Sequence, residues 1–322
     1  MRNRIRLAAA AIPALLAVSG ANGAQQQAFP ERPIRLVIGS AAGSGPDIIS
    51  RVMGERLSRA WGQRIVVDAR PGVAGMISAD LVSRAAPDGY TWMMLTSQLL
   101  VASAVYPDVK INLPRDFASV SLIGTVPFVL VVNPQVPAKS VTELIQHAKK
   151  TPLRYGSAGT GASEHLCGFM LTHMTGTPML HVPYKGVPQA LADTLSREVH
   201  LTYAVVPAAL PMIQSQRLRA LGVTSRKRSA MLPDVPSISE TVPGYEMFGW
   251  YSIVAPSGVS PAILAKVSNE MVKAAKEPEF GEQLKGLGIE IVGSTRAELD
   301  TFRRDQTKRI TELVKEIGVD LK

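Results

Sequence analysis

From Ile34 onward, short apolar runs of strand length alternate with amphipathic stretches of helical length, separated by small or turn-forming residues. That alternation confines the chain to α/β folds in which parallel strands are joined by crossover helices. Strands are expected at 34–38, 64–68, 90–95, 128–132, 153–157, 179–182, 200–204, 218–223 and 250–255, and helices at 46–60, 76–85, 141–149, 163–174, 187–196, 261–276 and 296–317. In the last helix Leu299, Phe302, Ile310, Leu313 and Ile317 keep near one face with charge opposite, and Thr295 stands where an N-cap belongs. Proline-bearing stretches around Pro127 and Pro134, and around Pro243 and Pro256, are the expected crossings between two lobes. They give lobe 1 as 25–126 plus 249–322 and lobe 2 as 127–248.

Residues 1–24 have a different character. Arg2, Arg4 and Arg6 precede an apolar stretch from Leu7 to Val18 and a small-residue tail, the layout of a secretory signal peptide, with cleavage expected after Ala21, Gly23 or Ala24. The apolar stretch falls short of the roughly 20 residues that span a bilayer. An exported chain would meet an oxidising compartment, yet Cys167 is the only cysteine, so no intramolecular disulfide forms and stability must come from burial. Losing the three leader arginines lowers the formal charge from +9 to +6, a surplus that suits an anionic partner. Nucleic acid is a poor fit: the densest basic run, Arg226-Lys227-Arg228, has no aromatic neighbours for stacking and reads as a solvated loop.

Two loops carry the binding chemistry. "GSAAGSGPD", Gly39 to Asp47, joins a strand to a helix, but a dinucleotide fingerprint fails because Ile48 stands where its third glycine belongs, and no Gly-Lys-Ser/Thr follows for a phosphate loop. What remains is general: free N–H groups and the dipole at a helix N-terminus favour one anionic group, although a purely structural turn fits this loop equally well. "YGSAGTGASEH", Tyr155 to His165, repeats the pattern in the other half. Asp47 and Glu164 fall in the first helical turns, where they favour the dipole but would repel an anion, so both read as supports of their loops.

Enzyme signatures are missing. There is no Gly-x-Ser-x-Gly elbow and no His-Glu-x-x-His, and His147, His165, His173, His181 and His200 lack metal-ligand spacing. Ser163, Glu164 and His165 are consecutive, so their side chains diverge on a helix and form no triad. Cys167 lies among apolar neighbours and reads as an inert buried thiol. The expectation is a binding protein without turnover, cofactor or metal.

Six ordered blocks make the reading specific: "FPERPIRLVIGSAAGSGPD", "RIVVDARPGVAGMISADLVSRAAPDGYT", "VPAKSVTELIQHAK", "LRYGSAGTGASEHL", "HVPYKGVPQALAD" and "LRALGVTSRKRSAMLPDVPSISE". They resemble the blocks of the tripartite tricarboxylate transporter substrate-binding proteins, the Bug-type periplasmic receptors, from Phe29 to about Gly318. The resemblance implies an α/β, type II periplasmic-binding-protein fold: two Rossmann-like lobes joined by two crossing segments, with a ligand cleft between. It implies a monomeric periplasmic receptor that hands a small carboxylate to an inner-membrane permease, or, in a second reading, docks on a sensor kinase ectodomain; an exported hydrolase is the remote third. Carried over by position, the ligand-binding candidates are Ser40, Ala41, Gly43, Ser44, Gly45 and Asp47 in the first loop, with Ser97 beside it. From the second lobe come Ser157, Gly159, Thr160, Gly161 and Ser163, then Tyr184, Lys185 and Gly186 with Asp193. The first loop departs from the family pattern: Gly39-Ser40 replaces Pro-Phe and Pro46 replaces a threonine, while Ala69 stands where asparagine is frequent. These changes imply an enlarged cleft and a ligand other than the simple dicarboxylates.

Overall fold

The computed structural model of the chain describes residues 29–106 and 111–317, so the expected signal peptide lies outside the described residues. In chain order the elements are β1 (Ile34–Ile38), α1 (Gly45–Trp61), β2 (Ile65–Ala69), α2 (Met76–Ser83), β3 (Thr91–Thr96), α3 (Ser97–Val105) and α4 (Leu113–Asp116). A long strand β4 (Phe117–Val132) follows, then α5 (Val141–Ala148), β5 (Leu153–Ser157), α6 (Ser163–Thr175), β6 (Met179–Pro183), α7 (Val187–Ser196) and β7 (Leu201–Val205). The chain continues through α8 (Val206–Gln214), β8 (Arg219–Val223), β9 (Phe248–Pro256), α9 (Pro261–Ala274), α10 (Pro278–Gly286), β10 (Glu290–Ile291) and α11 (Arg296–Ile317).

The ten strands form one curled mixed sheet with two halves. In the first, β1 pairs in parallel with β2 and β3, and β9 lies antiparallel between β3 and β4. In the second, β5 pairs in parallel with β6 and β7, and β4 lies antiparallel between β7 and β8. Strand β4 belongs to both: Phe117 to Pro127 face β9, and Phe128 to Val132 face β7 and β8. Proline has no N–H for a ladder, and Pro127 falls where the strand changes partners.

Nearly every residue of β4 is buried, as expected of a strand covered on both faces. Its expected span was 128–132. Ser119, Ser121 and Gly124 interrupt the apolar run in the sequence, but the serine hydroxyls are satisfied inside: Ser119 accepts from Arg303 Nη1 at 2.8 Å, and Ser121 donates to the Ser294 carbonyl at 2.7 Å. Three longer helices were not anticipated. α3 is apolar on nearly every side and shows no amphipathic stripe; α8 holds Pro207 and Pro211, which read as breaks; α10 is short and polar. The expected α11 is found at 296–317, opened by Thr295, which accepts from Glu298 N while its own N–H meets the Glu298 carboxylate at 2.8 Å. Its apolar face joins the core cluster that spans both half-sheets, and Phe302 packs edge-on against Trp250 of β9, 5.5 Å between centroids.

Candidate functional site

Parallel β-α units place strand C-termini and helix N-termini on the same sheet edge, where α/β proteins bind their ligands. Here two such edges face each other across the crossing strands. They enclose a cleft of about 300 Å³, within the size range of small-molecule sites. Its walls are mostly helix starts: Ser44 and Pro46 at α1, Thr96, Ser97 and Gln98 at α3, Ala162, Ser163 and Glu164 at α6, Val187 at α7 and Val205 at α8. Ser40 and Ala158 come from the loops after β1 and β5, Val126 and Phe128 from β4, and Gly249 and Tyr251 from β9. Among the described residues no lysine or arginine lines the cleft, and the groups there that favour an anion are first-turn N–H groups and helix dipoles.

The first loop is held from below. Asp47 is buried, and its Oδ2 accepts from Gly43 N at 2.9 Å and from Arg51 Nε at 3.0 Å. The Arg51 hydrogen bond leads in holding its pKa below the usual carboxylate value. Ser44 is the N-cap of α1, yet its side chain caps nothing, and its buried Oγ has no hydrogen-bond partner. Pro46 occupies the first turn, where a missing N–H costs nothing. Gly39 packs against Gly75; a Cβ there would lie 2.5 Å from Gly75 Cα, so the family proline has no room at this position.

The second loop rests on a stack of rings. Ser157 is fully buried, with Oγ 2.6 Å from His181 Nε2, and Gly161 N donates to His165 Nδ1 at 3.1 Å. The two imidazoles stack 3.9 Å apart, and Tyr155 lies against His181. Burial drives the His181 pKa down to about 4, reinforced by His165, so both rings are neutral supports. The Ser157–His181 pair looks nucleophilic on paper, but its hydroxyl is sealed beneath the loop and does not line the cleft.

Of the residues expected from the sequence, Ser40, Ser44, Ser97 and Ser163 line the cleft. Ala41, Gly43, Gly45 and Asp47 shape the first loop, and Ser157, Gly159, Thr160 and Gly161 the second, without lining it. Tyr184 backs the second loop: its N–H donates to the Ser157 carbonyl at 3.0 Å. Burial, with Asp193 as hydrogen-bond partner, pushes its phenol up to about 12. Lys185 is exposed, Gly186 caps α7, and only their neighbour Val187 reaches the cleft.

Glu164 departs from its expected role. It is 9% exposed, faces the cleft, and among the described residues its carboxyl meets only its own backbone N–H; burial raises its pKa to about 7. Helical spacing alone gave Asp47 and Glu164 the same reading, and only the packing separates them. Val126, Phe128, Gly249 and Tyr251 carry no local binding signature, because they reach the site through the crossing strands.

The model of the family described as tripartite tricarboxylate transporter family receptor matches residues 49–319. A UPF0065 protein from Pseudomonas sp. (strain P51) is 35% identical over 311 residues, 95% of this chain and 93% of that one. Among solved structures, an R. palustris protein determined with adipate superposes with a TM-score of 0.78 at 30% identity, over 90% of this chain and 98% of that one. The periplasmic binding protein BugD superposes with a TM-score of 0.75 at 31% identity, over 90% of this chain and 99% of that one.

Proposed function

The chain belongs to the tripartite tricarboxylate transporter family of receptors, periplasmic solute-binding proteins rather than enzymes, and from that premise we propose that it captures a small carboxylate in the interlobe cleft and delivers it to an inner-membrane permease. The observation that carries this reading is the convergence of helix N-termini on a cleft that, among the described residues, has no lining lysine or arginine. Such a site holds an anion by backbone N–H and hydroxyl donors. Val126, Phe128, Val187 and Val205 add apolar wall suited to the carbon skeleton. The adipate held by the R. palustris relative is a ligand of this class.

In this reading the leader is removed on export and the mature protein works in the periplasm as a monomer. The two half-sheets act as lobes that close by bending where β4 changes partners and where the chain returns at β9, and the closed form is what the permease engages. The polar donors grip one carboxylate, and the diverged first loop selects the rest of the molecule.

The test is thermal unfolding of the mature protein, stripped of host ligand by unfolding and refolding, against succinate, malate, adipate, citrate, benzoate, aspartate and glutamate. An acid present at about 100 times its Kd stabilises by about 2.7 kcal/mol, a shift of a few degrees, and saturates at one per chain. A panel with no shift at any pH between about 5.5 and 8.5 refutes the carboxylate reading.

A further inference from the structure

Glu164 is an odd wall for an anion site. Among the described residues it is the only carboxyl group that lines the cleft, and no lysine or arginine among them forms an ion pair with it. A carboxylate drawn to the start of α6 arrives beside a second carboxyl group in a place with little water to separate them. Two ionised carboxylates cannot share such a site without one taking a proton.

We propose that Glu164 enters the complex as the neutral acid, donating its O–H to an oxygen of the ligand carboxylate, so that capture takes up a proton from solvent. This rests on the carboxylate reading of the cleft given above. The step breaks no covalent bond in the ligand: a carboxylate anion binds, one proton adds to a Glu164 oxygen, and the O–H bridges the two groups. The helix dipole, which would otherwise stabilise ionised Glu164, is then free to act on the ligand's charge.

The groups around Glu164 do not titrate in the same range. Tyr251, facing it from β9, is pushed up to about 12 by burial and by the Glu164 charge. Cys167 on the same helix is raised well above its ordinary value by burial, with Glu164 adding to the shift and Arg309 opposing it. Tyr155 on β5 and Tyr203 on β7 are also raised by burial, and His165 and His181 are lowered by it. The cleft-facing residues of α3 and β4, namely Ser97, Gln98, Val126 and Phe128, carry no charge. Within this group burial brings Glu164 to about 7, while it moves the imidazoles down and the phenols and thiol up.

Linkage gives the outcome its sign. If the neutral acid binds, affinity is flat below about pH 6 and falls by up to about tenfold per pH unit above Glu164's titration. A ligand that set an ammonium group against ionised Glu164 would show the reverse, with proton release and tighter binding as pH rises.

The experiment is isothermal titration with adipate, or with any acid of the panel that gives a larger thermal shift, in PIPES and in imidazole, both of which buffer at about pH 6, 7 and 8. The difference in observed heat between buffers counts protons. Uptake approaching one proton near pH 8, and about tenfold weaker binding there than at pH 6, are expected. Glu164→Gln, which keeps a donor and stays neutral, should bind at every pH as the wild type does near pH 6, without uptake. Tight wild-type binding with no uptake, or with release, overturns this inference and leaves the carboxylate reading standing. Loss of Glu164→Gln binding at pH 6, with its unfolding midpoint unchanged, also overturns it. Absence of wild-type binding to every acid removes both.

Discussion

Gly168 lies in the middle of α6, where helix propensity favours alanine by about 1 kcal/mol. The structure reverses that expectation. A Cβ on Gly168 would sit 2.2 Å from Tyr155 Cε2, 2.5 Å from Cδ2 and 2.6 Å from Cζ. The obstacle is the face of a ring, and the ring has little room: Tyr155 is 3% exposed and stacks 5.1 Å from His181, itself 3.9 Å from His165. Accommodating the methyl means moving the whole stack that supports the second loop. Overpacking of this kind costs about 1–3 kcal/mol, and displacing a clamped aromatic by about 1 Å belongs at the upper end. After the propensity gain, Gly168→Ala should lose about 1–2 kcal/mol, a fall of about 2–3 °C in midpoint for a chain of this size. Calorimetry of the stripped protein reads the midpoint, and the thermal shift with the best acid of the panel reads the loop. A midpoint equal to or above the wild type would mean that the ring moves freely, and the reasoning about the stack would fail.

Other perturbations follow from the same geometry. The Ser44 Oγ is buried without a partner, so Ser44→Ala should leave the unliganded midpoint unchanged or raised by up to about 1 kcal/mol in stability while weakening carboxylate binding; a destabilised variant with unchanged affinity would refute this. Glu164 titrates at about 7 when folded against an ordinary 4.5. The folded state therefore binds the proton more tightly, and the stability this contributes is complete below pH 4.5 and lost as pH rises through about 7. The loss is on the order of 3 kcal/mol. Chemical unfolding of Glu164→Gln across this range should show a correspondingly flatter profile, and identical profiles would count against the burial argument. Arg303, 7% exposed, donates to the carbonyls of Leu113 and Phe117 and to Ser119 Oγ. Arg303→Met strands all three acceptors and should cost about 2–4 kcal/mol in urea unfolding, with a midpoint near the wild type as the contrary result.

The division between sequence and structure follows the range of the forces involved. Strand-helix alternation, the two small-residue loops and the Thr295 start of α11 were legible because periodicity and capping act within a few residues. Ser40, Ser44, Ser97 and Ser163 belong to those local signals, and they line the cleft. The full length of β4 was hidden because its serines look like breaks until Arg303 and Ser294, far away in the chain, satisfy them. α3 was hidden because burial on nearly every side removes the stripe that reveals a helix. Phe128 and Tyr251 became part of the site through the pairing of β4 with β9, which joins residues far apart in the chain. Asp47 and Glu164 make the same point: each stands in the first turn of a helix after a glycine-rich loop. Arg51 and Gly43 keep Asp47 ionised beneath its loop, while Glu164 faces the cleft with no cation among the described residues and is driven toward its neutral form. Sequence determined that both acids sit at helix starts, where N–H groups gather. Only the tertiary structure decided their charge, because ionisation depends on water and on partners that folding brings or takes away.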